Sequence, residues 1–481
     1  MPLQRIIFGG KFVQIFAFMV AEELSSLGKI ACPIVLSSLL LHSKSIVSML
    51  FLGHLGNIEL AGGSLAIGFA NITGYSLMKG LAMGMEPICS QAYGAKKWGI
   101  LSQTYRKTVC LLLLAAIPVS LLWLRVEPIL LWLGQNQNIT SVAKVYITYS
   151  IPELLAQAHF HPLRIFLRTQ SITKPLTISA ACAMILHFPI NYFLAVYMKL
   201  GVMGVALASA WNTLNLNIGL LVYLVRSKTT IKPWDGELGN SCFLGWQPLL
   251  ALVVPSAFSV CLEWWWYEIM ILLCGLLRDP QVSVAAMGIL IQTTGLLYVF
   301  PYSLSLSLST RVGQQLGAEQ PAGAQWTTII GLIVACVCGV LALFFTVAVK
   351  NVWGKMYTSD PQVLVLTSAT LPVVGFCELG NCPQTAACGI LIGSARPKRG
   401  AYINFGSFYL IGLPVAALMA FKLKMGFSGL WLGLAAAQAS CICMMIYTLV
   451  CTEWKHQAKR AKELTQATED HKSDLEANLL S

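Results

Sequence analysis

Two carboxylates, Glu263 and Glu268, stand inside the apolar stretch Cys261-Leu-Glu-Trp-Trp-Trp-Tyr-Glu-Ile-Met270, with three tryptophans and a tyrosine between them. A third, Glu378, interrupts Leu371-Pro-Val-Val-Gly-Phe-Cys-Glu-Leu-Gly-Asn-Cys-Pro383. Holding a charge at the centre of a bilayer costs about 2.5–3.5 kcal/mol even on the lenient insertion scale, so an intramembrane acid usually faces a cavity and serves a function. Burial also disfavours the ionised form of a carboxyl. Such a group can load a proton in one environment and release it in another. The chemistry these residues point to is proton coupling, in a chain that transports rather than catalyses.

Glu263 and Glu268 are five residues apart, about 140° around a helix. One can face a cavity while the other faces a neighbouring helix. Pro372 and Pro383, with Gly375 and Gly380, bracket Glu378. Broken helices are tolerated in membranes where the freed backbone groups line a cavity. Asn381 is the i+3 neighbour of Glu378, and Gln384 lies near the same face. Trp264, Trp265, Tyr267 and Tyr298 offer ring faces to a flat organic cation. At least one of three consecutive tryptophans must instead pack against lipid or a helix.

Other polar groups in apolar segments are weaker candidates. Glu153 stands beside Leu154, the residue that the repeat described below makes the counterpart of Glu378 (378 − 224 = 154). Lys44 can pair with an acid or snorkel; Lys79 and Glu86 are harder to place. His42, His159, His161 and His187 are scattered and read as satisfied core groups. The C-terminal half holds most of the buried acids, so proton handling is expected there.

The elements that position these groups are membrane helices. Of 481 residues, 56% are hydrophobic and 11% charged, with mean hydropathy +0.70; a soluble domain carries about a quarter charged residues. The net charge of +12 is spread over short loops and the tail, which points to topology rather than nucleic-acid binding. Fifteen cysteines form no Cys-x-x-Cys pair and read as small buried hydrophobes. There is no phosphate-binding Gly-x-x-x-x-Gly-Lys-Ser/Thr loop and no His-Glu-x-x-His, so neither ATP hydrolysis nor zinc chemistry is expected and no cofactor is implied. Energy must come from an ion gradient or from the substrate's own.

About twelve apolar segments reach spanning length, at roughly 28–52, 61–88, 104–124, 141–166, 175–198, 201–225, 248–274, 283–310, 327–349, 361–392, 400–421 and 427–451. The expected fold is an all-α integral membrane protein. Residues 1–27 are expected to be a cytosolic, interfacial or irregular N-terminus, because the apolar run from Phe12 to Val20 is too short to span. With Lys96, Lys97, Arg164, Arg168, Lys174, Arg311 and Lys398 among the residues of the inner loops, both termini are cytosolic. Asn138-Ile-Thr140 then falls outside and can carry a glycan.

The two halves repeat. Gln91-Ala-Tyr-Gly-Ala95 matches Gln314-Gln-Leu-Gly-Ala318 (314 − 91 = 223), Lys174 matches Lys398 (398 − 174 = 224), and Pro189, Lys199, Gly201 and Gly204 match Pro414, Lys424, Gly426 and Gly429 at 225. Six spans per half is an even number, which makes a parallel repeat about an axis along the membrane normal, with the substrate path between the halves. The expected organisation is an N-lobe at 28–225, a polar cytosolic linker at 226–247, a C-lobe at 248–451 and a cytosolic tail at 452–481. The tail begins as a helix, Trp454 to Leu464, and ends near Asp474-Leu-Glu-Ala-Asn-Leu-Leu480, which approximates a sorting signal. Sorting or scaffold partners would meet it there.

Assembled, the chain resembles the multidrug and toxic compound extrusion (MATE) family, in particular its plant detoxification-type members. The marks are Phe51-Leu-Gly-His-Leu-Gly56 with Glu59-Leu-Ala-Gly62, Gly84-Met-Glu-Pro-Ile-Cys-Ser-Gln-Ala-Tyr-Gly94, the segment around Glu263, Thr310-Arg-Val-Gly313 with Leu316-Gly-Ala318, and Cys377-Glu-Leu-Gly-Asn-Cys-Pro-Gln384. The resemblance implies two six-helix lobes around a central cavity and antiport, cation in and organic solute out, with H⁺ rather than Na⁺ as the driving ion. It places Glu263 and Glu378 where the family keeps coupling carboxylates, and Gln292 where some members carry a further glutamate. The expected partner is a small organic solute in a plasma, vacuolar or late-endosomal membrane, handled by a monomer. The alternatives are a lipid-linked-substrate flippase, which tends to carry a cationic cavity, and a transporter of organic anions such as citrate.

Overall fold

In the computed structural model, the backbone is described over residues 2–235 and 245–466, with side chains from residue 16 onward. Residues 236–244, among them Gly236, Glu237 and Gly239 of the expected linker, lie outside the described residues, as does the run at 474–480. Every regular element among the described residues is a helix. In hydrocarbon each backbone polar group needs an internal partner, and a helix supplies one.

The N-lobe comprises α1 (Pro2–Leu55), α2 (Asn57–Ala70), α3 (Ser76–Met83), α4 (Glu86–Gly94), α5 (Trp98–Leu124), α6 (Val126–Trp132), α7 (Gln137–Tyr149), α8 (Ile151–Thr169), α9 (Lys174–Asn191) and α10 (Val202–Arg226). The C-lobe comprises α11 (Gln247–Cys274), α12 (Pro280–Gly317), α13 (Pro321–Val349), α14 (Pro361–Gly393), α15 (Pro397–Asn404), α16 (Leu413–Ala417) and α17 (Gly426–Val450). Ten helical stretches are long and apolar enough to cross a membrane. The more polar passes α2–α3, joined by a π-helical turn at Asn71–Tyr75, and α7–α8 bring the number to about twelve.

The repeat is written into the backbone. Non-glycine residues with positive φ occur in pairs: Lys96 and Glu319 (319 − 96 = 223), Ser171 and Ala395 (395 − 171 = 224), Lys199 and Lys424 (424 − 199 = 225). At the first pair the chain caps its helix identically in both lobes. Lys97 N–H donates to the Ala92 carbonyl at 2.9 Å, and Gln320 N–H to that of Gln315 at 2.8 Å. This is the left-handed helix stop in which the second residue past the end reaches back five positions. Downstream of Pro189 and Pro414, π-helical turns follow at Tyr192–Tyr197 and Leu418–Lys422.

The lobes meet as a two-fold contact would require. A methyl added to Gly94 would lie 1.9 Å from the Gln314 carbonyl oxygen, and one added to Gly317 would lie 2.0 Å from that of Gln91. Gln91 Nε2 donates to the Gly393 carbonyl at 2.9 Å; Gln314 Nε2 donates to the Thr169 carbonyl at 2.7 Å. These bonds are partners under the repeat, since 314 − 91 = 223 and 393 − 169 = 224. The ends of α4 and α12 therefore close one end of the molecule backbone to backbone.

Two expectations need correction. Residues 2–27 are no separate interfacial or irregular segment: they are helical and continuous with the first span. Their buried acid is held across the seam, with Arg311 Nη2 donating to Glu23 Oε2 at 2.8 Å and Thr327 Oγ1 to Glu23 Oε1 at 2.7 Å. The start of each lobe's first helix packs into the opposite lobe, Leu27 in the C-lobe core and Leu249 in the N-lobe core (249 − 27 = 222). Lastly, Arg164 and Arg168 sit inside α8 rather than in a loop. The tail is helical over 454–466, as expected, and Trp454, Ala458 and Ala461 are buried in the C-lobe core.

Candidate functional site

Glu378 is 1% exposed on α14. Pro383 lacks the N–H that would bond the Leu379 carbonyl, loosening the helix beside it. Asn381 Nδ2 donates to Glu378 Oε2 at 2.9 Å, and Cys382 Sγ lies 3.8 Å from the same oxygen. Gly339 on α13 permits this approach, because a methyl there would sit 2.9 Å from the Glu378 carbonyl oxygen. Gln384 is buried with its Oε1 unpartnered. Among the described residues no lysine or arginine comes within ion-pair distance of Glu378.

Glu263 on α11 lies near the Tyr298 side chain of α12 and within electrostatic reach of Lys79. Tyr267 is within reach of both Glu263 and Glu378 and so links them. Tyr298 stacks on Tyr302 with centroids 5.4 Å apart. The Lys79 ammonium lies 4.2 Å from the Tyr302 ring centroid and 5.0 Å from that of Trp264. Tyr267, Glu263, Tyr298 and Tyr302 thus lie in succession between Glu378 and Lys79 of the other lobe.

The remaining predicted residues are not brought together. Trp265 joins the exposed stripe Phe258, Trp265, Leu272, spaced seven apart and turned outward as lipid-facing residues are. Trp266 is fully buried against Phe408 and Tyr409, at 5.5 and 6.4 Å. Glu268 is half-buried and shares no contact with the other two acids. Gln292 is exposed, on the side of α12 where Gly288 and Gly295 border open space. Asn138 is exposed at the start of α7, where the Asn136 side chain caps its N–H at 2.9 Å.

A cavity of about 230 Å³ lies in the N-lobe, and none of the C-lobe acids lines it. Its lining includes Lys44, Asn71, Lys79, Glu153, Gln157, His161 and Arg164, with Trp264 contributed by the C-lobe. Lys44 pairs with Glu153, which also accepts from Gln157 Nε2 at 3.2 Å and Thr213 Oγ1 at 3.4 Å. Deeper in α8, Arg168 Nη2 lies 2.5 Å from Glu86 Oε2. The sequence did carry a signal for this cavity. Glu153, Gln157, His161 and Arg164 recur at intervals of four, four and three, one polar stripe on a helix. The stripe is masked in the sequence because Arg164 falls near the end of α8, where a basic residue also suits a loop.

The profile of the MatE family matches residues 33–193 and 255–418, one stretch in each lobe. The chain belongs to the MatE family. Protein DETOXIFICATION 53 of Arabidopsis thaliana is 58% identical over 451 residues, covering 94% of this chain and 93% of the relative. Protein DETOXIFICATION 48 of the same plant is 53% identical over 447 residues, covering 93% and 84%. The crystal structure of the eukaryotic MATE transporter AtDTX14 matches with a TM-score of 0.88 at 29% identity, covering 93% of this chain and 99% of that one. The Vibrio cholerae MATE transporter VcmN, at 17% identity and a TM-score of 0.80, shares the fold, covering 91% and 99%. This MatE chain is accordingly a two-lobed, multi-pass membrane transporter of the efflux type and not an enzyme.

Proposed function

We propose that the protein exports small organic solutes in exchange for protons by alternating access, with Glu378 and Glu263 handling the protons. The observation that carries this reading is the setting of Glu378: a buried carboxyl whose partners are an amide and a thiol, with no cation to hold it ionised. A proton can come and go there without breaking an ion pair. Tyr267, Glu263, Tyr298 and Tyr302 lie between that acid and the lobe seam, so a change of protonation alters the field where the lobes meet. H⁺ serves as the coupling ion in preference to Na⁺, the monomer is the working unit, and the termini face the cytosol of a plasma, vacuolar or late-endosomal membrane.

The test is transport in proteoliposomes with an imposed pH gradient. Wild type should show gradient-driven efflux of a solute it binds. Glu378→Gln should abolish the dependence on the gradient and Glu263→Gln should weaken it, with both variants correctly inserted. Full gradient-driven transport in both variants would remove the assignment.

A further inference from the structure

We propose that the N-lobe cavity is the seat of the substrate and that it takes small organic anions, a carboxylate on an apolar or aromatic body. This goes beyond the exchange reading: it rests on the chain being a transporter and not on which ion drives it.

The charge inventory is the starting point. Three cations, Lys44, Lys79 and Arg164, face one cavity with one carboxylate, Glu153. Lys44 and Glu153 satisfy each other. Lys79 and Arg164 are left without a carboxylate in contact: Lys79 rests on the rings of Trp264 and Tyr302, and the Arg164 guanidinium lies 5.7 Å from the centroid of Phe160. Of the acids within electrostatic reach, Glu86 is paired with Arg168, and Glu263 acts on Lys79 at a distance without forming an ion pair with it.

The cavity also holds a donor without an acceptor. Arg164 Nε is buried with no hydrogen-bond partner. A buried polar atom left in that state calls for a partner. A carboxylate is the matching one, since it accepts charge-assisted bonds from a guanidinium in a forked geometry. An organic cation entering the same space would meet two like charges. The rings of Trp264 and Phe160 give the body of the solute something flat to lie against. The volume of about 230 Å³ equals that of about eight waters in the liquid, which suits a solute the size of benzoate.

The experiment uses the full-length protein in detergent or nanodiscs without any gradient. Equilibrium binding is measured for benzoate, p-aminohippurate and citrate, and for phenyltrimethylammonium as the cation of matched shape. At least one of the anions is expected to bind saturably, about tenfold or more tighter than phenyltrimethylammonium. Arg164→Gln and Lys79→Gln should each weaken that anion about tenfold or more. Lys79→Arg, which keeps the charge, should recover most of the affinity and shows that the loss does not come from misfolding. The proposal is overturned if phenyltrimethylammonium binds tighter than all three anions, if none of the three binds, or if an anion binds unchanged to both neutralised variants. Anion binding without gradient-driven transport would support the site and count only against proton coupling.

Discussion

Gly317→Ala puts the lobe seam to the test. The added methyl would sit 2.0 Å from the Gln91 carbonyl oxygen, where a carbon needs about 3.3 Å. The obstacle is backbone, so no rotamer can absorb the overlap. The lobes must part locally by roughly 1.3 Å (3.3 − 2.0). At that separation the Gln91–Gly393 bond of 2.9 Å stretches beyond 4 Å and ceases to be a hydrogen bond. Its partner under the repeat, Gln314 to Thr169, is strained in the same way. Two lost bonds at about 1 kcal/mol each, with about 1 kcal/mol of residual overpacking, give a shift of about 3 kcal/mol against the closed seam. At 1.4 kcal/mol per decade this is roughly a hundredfold change in the equilibrium between lobe arrangements.

Lys174 and Lys398 suit the readout. They are exposed, correspond under the repeat, and start α9 and α15 in opposite lobes. Spin labels there should be carried on non-natural residues, because the chain has fifteen cysteines. Pulsed dipolar spectroscopy should show Gly317→Ala and Gly94→Ala shifting the distance distribution to longer values. Gly99→Ala, whose methyl meets nothing within 4 Å, should leave it as in wild type. If both seam variants superpose on wild type, the α4–α12 contact is not a gate, and the alternating-access argument loses its structural basis.

Three further outcomes follow from the same geometry. Lys44→Met or Glu153→Gln alone should lower unfolding stability by about 3 kcal/mol or more, because each strands a buried charge, while the double variant should regain most of it; a double no better than the singles refutes the pairing. Trp266→Ala should cost about 3 kcal/mol through lost packing, whereas Trp265→Ala should change neither melting temperature nor transport by a measurable amount; equal effects would mean that the lipid-facing stripe has been misplaced. Lys79→Gln should move the Lys174–Lys398 distances in the same direction as Gly317→Ala but less, and no movement at all would separate the cavity from the seam.

Much of the fold was legible because the repeat is local chemistry seen twice. Pro189 and Pro414, Gly201 and Gly426, and the two Gln-x-x-Gly-Ala motifs each set a backbone feature that the other lobe duplicates. What the motif could not show was that its two copies pack on each other, since a contact across an axis has no trace in either copy alone. The C-lobe acids were legible because a carboxylate in an apolar run is rare enough to stand out. The N-lobe cavity was not, because Arg164 lies close to the end of α8, where arginine normally reports topology, and Lys44 and Lys79 lie on two other helices with no shared pattern in the sequence. Only the three-dimensional course of α8 shows that Arg164 points inward. The N-terminal helix was missed for a different reason: its charge, Glu23, is neutralised by Arg311, 288 residues further along the chain.

Lys79 is where the two inventories of charge meet. It belongs to α3 of the N-lobe, yet its ammonium rests on two C-lobe rings, Trp264 and Tyr302, while Glu263 lies within electrostatic reach. A cation over an aromatic ring is worth about 0.5–2 kcal/mol, enough to bias a lobe equilibrium and too little to lock it. An anion that draws Lys79 into the cavity would take the ammonium off those rings. The bound solute then weakens a contact between lobes, which is the differential affinity for two states that any ligand needs if it is to shift a conformational equilibrium. On the proposed exchange, a proton on Glu263 would act on the same lysine by removing the negative charge it feels. Solute and proton need not touch to influence each other; they need only act on one ammonium placed at the seam.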